Sequence, residues 1–406
     1  MALTKNPKLA LIPSGYKASK VYSVLPSNGV GDFDFSRDTI ATRVNKQGLI
    51  ETVDSNIPRL NYPMIDGVVS GCPSLLLEPS RTNLIAYSNK FDVYWSLLGL
   101  GTGSAPVLNN NSIISPDGTQ NATEVILNVG SGTTTSDRSS IEVNQTVSAG
   151  SEYTVSFYIK GKNDGDQLMV GAISGGYELI TLTTEWKRYV ITQTAASSPR
   201  AVFIGIRQGV FGTLNNNVEF YLYGAQLEQG SYPTSYIPTN GEVNGVTRSA
   251  ETCNNSGDVN TFNNSEGVLM AEINFENNDT DKGISISDGT SSNRVLFYLA
   301  TNGNLYGYVF NGNGSIPIVT IIDTNFQINS TAKLAIKYKQ NDFSFWVNGI
   351  EIGTETIGNT FSSGVLDQLS FTQGSPSANP FYGNVKQLQY FDTALSDEEL
   401  ALLTSL

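Results

Sequence analysis

The sequence predicts an all-β chain carrying two antiparallel sandwiches in tandem, and three observations lead there. Glycine, at 39 residues, is more than twice as frequent as proline, at 15, and Asn, Ser and Thr fill the stretches between apolar runs. Short β-branched and aromatic runs recur about every 8 to 12 residues between Gly, Asn and Asp clusters, which is sandwich spacing. In the clearest run, Tyr153, Val155, Phe157 and Ile159 alternate with Thr154, Ser156 and Tyr158, as a strand with one buried face requires. With 406 residues, 39% hydrophobic and 15% charged, the chain has material for more than one core.

Residues 1–83 have the weakest strand periodicity and dense punctuation, including Pro13, Pro26, Pro58, Pro63, Pro73 and Pro79. Short extended pieces are expected at 20–25, 39–44 and 49–53, with the apolar run Leu75, Leu76, Leu77 before Glu78. A segment this broken builds no large core alone and is expected to lie along another surface, its own chain or a neighbouring subunit. Residues 84–238 form the first strand set, with strands expected at 122–127, 153–159, 168–170, 186–191, 201–206 and 218–223. An Asn/Gly/Thr-rich joint at 239–264 leads to the second set, 265–406. Its strands are expected at 268–275, 283–287, 295–299, 305–310, 333–338, 343–347, 366–371 and 385–391. Asn348-Gly349 between apolar runs is a strong hairpin signal. The one good helix start is at the end, where Ser396 and Glu399 form a capping box ahead of Leu400, Leu402 and Leu403.

Charge and composition exclude whole classes of function. The 24 basic and 37 acidic residues leave a net charge of −13, so the surface repels phosphate backbones and nucleic acid is not an expected partner. There is no histidine, which removes Ser-His-Asp and Cys-His catalysis, His-containing metal sites and imidazole switching. Cys72 and Cys253 stand far apart and are expected as free thiols. No apolar run is long enough for a membrane helix, and Pro7 and Pro13 interrupt any signal-peptide core, so a soluble protein made without export is expected.

Three sets of stretches carry resemblances. LAIKYKQNDFSFWVNGIEIG and FYGNVKQLQYFDTALSDEELALLTS resemble the closing half of laminin-G-like, concanavalin-type jelly rolls, with the Asn348-Gly349 turn and the helix start at Ala394 to Glu399 in the family's positions. The first sandwich is similar to carbohydrate-binding jelly rolls, which open with a motif matched by Asn83 to Ile85, Phe91 and Trp95, and close on a strand matched by Tyr221 to Glu228. Many such modules hold a structural calcium, but Gly224 and Ala225 stand where the acidic pair belongs. The linking stretches DFDFSRDTIATRVNKQGLIETV, IPRLNY, PSLLLEPSRTNLIAYSNKF and GAQLEQGSYPTSYIPT, within 32–248, resemble those of tailed-bacteriophage virion fibres and spikes of head or tail. That resemblance implies a structural protein made in the host cytoplasm and exposed on the virion surface. Its N-terminal part would meet other capsid or tail proteins. Homo-oligomers are implied, with a trimer as the family's common order, although no heptads support that number.

Without histidine an enzyme would need convergent carboxylates. Asp32/Asp34, Asp164/Asp166 and Glu272/Glu276 are the candidate pairs, and Asp164-Gly165-Asp166 reads equally as a turn. The sequence lacks the Glu-x-Asp-x-Glu strand of laminarinase-like relatives, so no catalytic residue is assigned. Sugar binding needs aromatic faces beside amide and carboxylate groups, and Tyr177, Trp186, Tyr306 and Tyr308 are the candidate contacts, while Tyr189 and Trp346 are weaker. No cofactor is expected. Calcium is left open, with Asp117-Gly118-Thr119, Asn163 to Asp166 and Asn277-Asn278-Asp279 as oxygen-rich loops. The expectation is a non-enzymatic virion fibre or spike whose jelly rolls bind glycans. A polysaccharide depolymerase and a capsid decoration without glycan affinity are the alternatives.

Overall fold

The computed structural model describes residues 3–65, 68–69, 71–171, 173–312, 317 and 319–406. The chain is all-β, with two antiparallel jelly-roll sandwiches in tandem, an irregular N-terminal segment and one short helix at the end. In the first sandwich one sheet runs Ser96–Leu100, Arg138–Gln145, Arg200–Arg207, Gln167–Gly171, Tyr177–Thr181. The facing sheet runs Ser104–Ile113, Ala122–Asn128, Asn217–Gln229, Glu152–Gly161, Lys187–Thr194. Tyr153, Val155, Phe157 and Ile159 point into the core between them, as their alternation predicts. Thr154 and Ser156 on the opposite face are buried too, because residues 230–236 fold over them: the Thr154 hydroxyl donates to the Gly230 carbonyl at 2.8 Å.

The second sandwich faces a five-stranded sheet, ordered Val319–Asp323, Leu305–Phe310, Arg294–Leu299, Lys282–Ser287, Gln368–Ser370, against a larger one. The larger sheet runs Ile350–Glu355, Phe343–Val347, Thr331–Lys339, Glu266–Asn274, Gly383–Phe391, then continues into the N-terminal segment through Ser74–Leu77 and Arg59–Asn61. Two N-terminal strands share one flank of Gly383–Phe391: Leu9–Leu11 pairs with Leu388 to Tyr390, and Leu75 to Leu77 pair with Gly383 to Val385. Their side chains go with them, so Leu9, Leu11, Phe33, Phe35, Leu75 and Leu77 belong to the core of the second sandwich. The segment lies along its own chain, on the sandwich farthest from it in sequence.

Residues 239–264 join that core as well. Thr252–Asn254 pairs with Phe33–Ser36, Val246–Arg248 pairs with Arg81–Asn83, and Cys253 and Phe262 are buried among the second sandwich's apolar residues. Cys72 is exposed and unbonded, and Cys253 is a free buried thiol. Among the described residues no helix is long and apolar enough to cross a membrane. The Asn348-Gly349 turn has both residues at positive φ, 51° and 82°, the conformation that a two-residue hairpin demands. The helix Asp397–Thr404 carries the full capping box: Ser396 accepts from the Glu399 amide, and the Glu399 carboxylate accepts from the Ser396 amide and also from Thr4, at 2.9 Å. Trp346 is core, buried under that helix beside Leu400 and Leu403.

Candidate functional site

Leu305–Phe310 alternates inward Leu305, Gly307 and Val309 with outward Tyr306, Tyr308 and Phe310. Gly307 faces inward because a Cβ there would stand 2.9 Å from the Phe345 ring. The two tyrosines, two residues apart on one face, stack with centroids 5.0 Å apart and planes within 9°. The neighbouring strand adds Tyr298, directly across from Tyr306 and 6.0 Å from each of the two rings. Phe310 extends the row at 5.5 Å from Tyr308 and is itself capped by the Arg294 guanidinium at 3.8 Å. Across the sheet from Tyr306 and Tyr308 stand Ile322 and Thr320, both exposed.

Polar groups frame this aromatic row. The Tyr298 hydroxyl donates to Asp281, whose other oxygen accepts from the Thr301 amide at 3.0 Å, and Asn304 donates to the Tyr306 hydroxyl at 3.4 Å. Burial first, and the Tyr306 ring next, push the Tyr308 phenol up to about 12, and burial with Asp281 raises Tyr298. Both hydroxyls therefore stay protonated at neutral pH and both donate and accept. A half-exposed stack of ring faces edged by hydroxyl, amide and carboxylate groups can hold the apolar face of a sugar ring and pair its hydroxyls.

The fold brings together two of the four sequence candidates, Tyr306 and Tyr308. Tyr177 sits on an edge strand of the first sandwich, its ring 4.6 Å from Phe203 and its hydroxyl accepting from Arg207 at 3.3 Å. Trp186 precedes a strand of the facing sheet, where its indole N–H donates to the Ile114 carbonyl at 3.2 Å and its ring packs on Ile50, Tyr223 and Tyr236. Sequence reasoning missed Tyr298. Its signal was the alternation of Leu296 and Tyr298 against inward Val295, Phe297 and Leu299, which places it beside Tyr306 only once the strand register is known.

The oxygen-rich loops are filled by the chain's own donors. Asp117 accepts from Ser115, Thr119, Asn121 and Tyr223. Asp166 accepts from Asn163 and Asn215. In the third loop the buried Lys282 ammonium donates to the Asn277 carbonyl at 3.0 Å, its amide oxygen at 2.7 Å and Asp279 at 3.2 Å. Gly224 adopts φ 66° where the chain kinks onto Tyr158. Among the described residues no cluster of three acidic or thiol groups has metal-binding geometry. Of the carboxylate pairs, Asp34 is bridged to Lys20 at 2.6 Å, Asp164 accepts from the Thr184 amide at 2.8 Å, Glu272 accepts from Gln387 at 2.7 Å and Glu276 from Asn384 at 2.7 Å.

A second constellation lies where both sandwiches, the N-terminal segment and the joint meet. Arg37, Arg59 and Arg248 are buried against Glu78 and Glu251. Glu251 bridges Arg37 at 2.7 Å and Arg59 at 2.5 Å, and Glu78 bridges Arg59 and Arg248, each at 2.8 Å. Ser235, just beyond the last strand of the first sandwich, donates to Glu78 through its amide at 2.7 Å and its hydroxyl at 2.6 Å. Burial alone would raise Glu78, but Arg248 and Arg59 outweigh it and hold this carboxyl at about 2.

Comparison with known proteins follows this architecture. Residues 244–401 match the laminin-G-type family model described as the concanavalin A-like lectin/glucanases superfamily. No curated protein sequence matches the chain. Among solved structures, the CBM40 of the Ruminococcus gnavus IT-sialidase, bound to alpha2,3 sialyllactose, is 21% identical, with 36% of this chain and 84% of that one covered at a TM-score of 0.31. Domain 4 of AbnA, a GH43 extracellular arabinanase from Geobacillus stearothermophilus, in complex with arabinotriose, is 14% identical, with 44% and 84% covered at a TM-score of 0.27. The native heptameric SAP-like pentraxin from Limulus polyphemus is 14% identical, with 34% and 68% covered at a TM-score of 0.27.

Proposed function

We propose that this chain is a non-enzymatic glycan-binding protein of a tailed-bacteriophage virion, a homo-oligomeric fibre or spike that presents its sandwiches outward. The observation that carries the binding half is the stack of Tyr298, Tyr306 and Tyr308 on an open sheet face. Its membership in a strand set that matches a lectin and glucanase family model supports the same reading. The virion half is supported by the resemblance of the linking stretches within 32–248. Apolar side chains exposed on the N-terminal segment, Ile12, Tyr22, Val24, Leu25 and Ile40, are available to other virion proteins. A single millimolar sugar site is worth only about 4 kcal/mol, so useful adhesion comes from several copies engaging together.

Two experiments test the halves separately. Glycan-array screening of the purified chain should give hits that the Tyr306→Ala/Tyr308→Ala double variant loses while its melting temperature is kept; hits unchanged in that variant would remove the platform from the account. Mass spectrometry and cryo-electron microscopy of the particle should find the chain with residues 1–83 turned to a capsid or tail interface. Absence from purified virions would end the virion reading.

A further inference from the structure

A groove of about 920 Å³ runs along the seam between the two sandwiches. Its walls come from four parts of the chain: Arg81 from the N-terminal segment, Ser148 and Glu152 from the first sandwich, Asn244 and Thr247 from the joint, and Asp279 from the second sandwich. We propose that this groove is a second binding site, one for a neutral oligosaccharide, and the proposal rests on the glycan-binding reading above. Size is the first argument: the volume is at the upper end of the roughly 300–1,000 Å³ of small-ligand sites.

Charge and chemistry narrow the ligand. The one cation lining the groove is already neutralised, since the Arg81 guanidinium pairs with Asp279 at 3.1 Å and lies over the Tyr232 ring at 5.2 Å. Asp279 is fixed in turn by the Lys282 ammonium at 3.2 Å. What faces the opening is hydroxyl, amide and the exposed Glu152 carboxylate, so an anionic ligand is repelled and a polyhydroxyl chain finds donors and acceptors. An extended peptide is a poorer occupant, because Leu84, Val147 and Tyr153 are the apolar lining and none of them is exposed, which leaves no side-chain pockets.

The test is titration calorimetry of the full chain with malto-, cello-, xylo- and mannohexaose and with the matching disaccharides. Two variants report on the sites: Thr247→Trp fills the groove from an exposed position, and Tyr306→Ala/Tyr308→Ala removes the platform. Expected is binding of at least one hexasaccharide that Thr247→Trp weakens about tenfold or more, with the tyrosine variant keeping that binding event and the disaccharide losing it. A second groove variant, Ser148→Trp, should act alike, with melting temperatures confirming the fold. Hexasaccharide affinity unchanged in both groove variants overturns the groove site while leaving the platform standing if the tyrosine variant loses binding. No binding of any saccharide by the parent chain overturns both, and saturable binding of an unstructured peptide, blocked by Thr247→Trp, would reassign the groove.

Discussion

Glu276 shows how one carboxyl senses its surroundings. It sits at a small cleft with Glu78, Arg43, Arg188 and Tyr158, and Asn384 is its hydrogen-bond donor. Burial first, and then the Glu78 charge, push it up to about 7 from an ordinary 4.5, although Arg59 and Arg188 pull the other way. A folded-state value above the unfolded one means the folded chain holds the proton more tightly, so its contribution to stability is complete below pH 4.5 and falls as pH rises to about 7. Glu78 works in the opposite sense: held at about 2, it contributes stability above 4.5 that is lost as pH falls toward 2. Urea titrations of Glu276→Gln from pH 2 to 8 should therefore lose the decline between about 4.5 and 7 and leave the acid limb in place. A variant that tracks the parent across that window would show that Glu276 ionises freely in the folded chain.

At the scale of elements, the strand Gly383–Phe391 is the informative case. One flank is completed by Glu266–Asn274 from its own sandwich, the other by two strands that precede the whole first sandwich in sequence. Residues 239–406 produced alone would expose that flank and leave the core without Leu9, Leu11, Phe33, Phe35, Leu75 and Leu77. They should show no cooperative melting and should bind hydrophobic dyes, and adding residues 1–83 in trans should restore a transition; a fragment that melts cooperatively alone would show these strands to be dispensable. Within the full chain, Leu75→Ala should cost about 2–5 kcal/mol by chemical denaturation. The same strands mark what the sequence made legible. Central strands such as Leu305–Phe310 and Phe343–Val347 were readable to the residue because both of their faces carry apolar or aromatic side chains. Ser104–Ile113, with Asn109, Asn110 and Asn111, and the half-buried Ser96–Leu100 were not, because edge strands pack one flank and carry little pattern. The stacked pair Tyr306 and Tyr308 followed from period-two spacing, whereas Tyr298 depends on the register of its hairpin with Tyr306, and the seam groove on pairings more than 100 residues apart that no local pattern encodes.

The whole molecule is organised by the buried charge cluster, because its members come from the N-terminal segment, the joint and the end of the first sandwich, and none of these can keep them paired alone. Arg37, Arg59 and Glu78 belong to the N-terminal segment, Arg248 and Glu251 to the joint, and Ser235 ties in the end of the first sandwich. Glu251 is the centre, bonded to two guanidinium groups and to the Glu78 amide at 2.9 Å. Replacing it by alanine leaves Arg37 and Arg59 in a dry site with one fewer anion, a change that costs on the order of 3–5 kcal/mol. The loss falls on the coupling between the sandwiches and spares the core of the first, whose apolar residues lie elsewhere. Calorimetry of the parent should show one cooperative transition, and Glu251→Ala should split it, with the second sandwich melting first because residues 9–77 are part of its core. The groove at the seam then loses its shape while the tyrosine row stays on its own sheet. Below the first transition Glu251→Ala should therefore bind hexasaccharide more weakly and keep the platform's affinity. A single unshifted transition in Glu251→Ala would mean that packing, not the charge cluster, holds the two sandwiches in register.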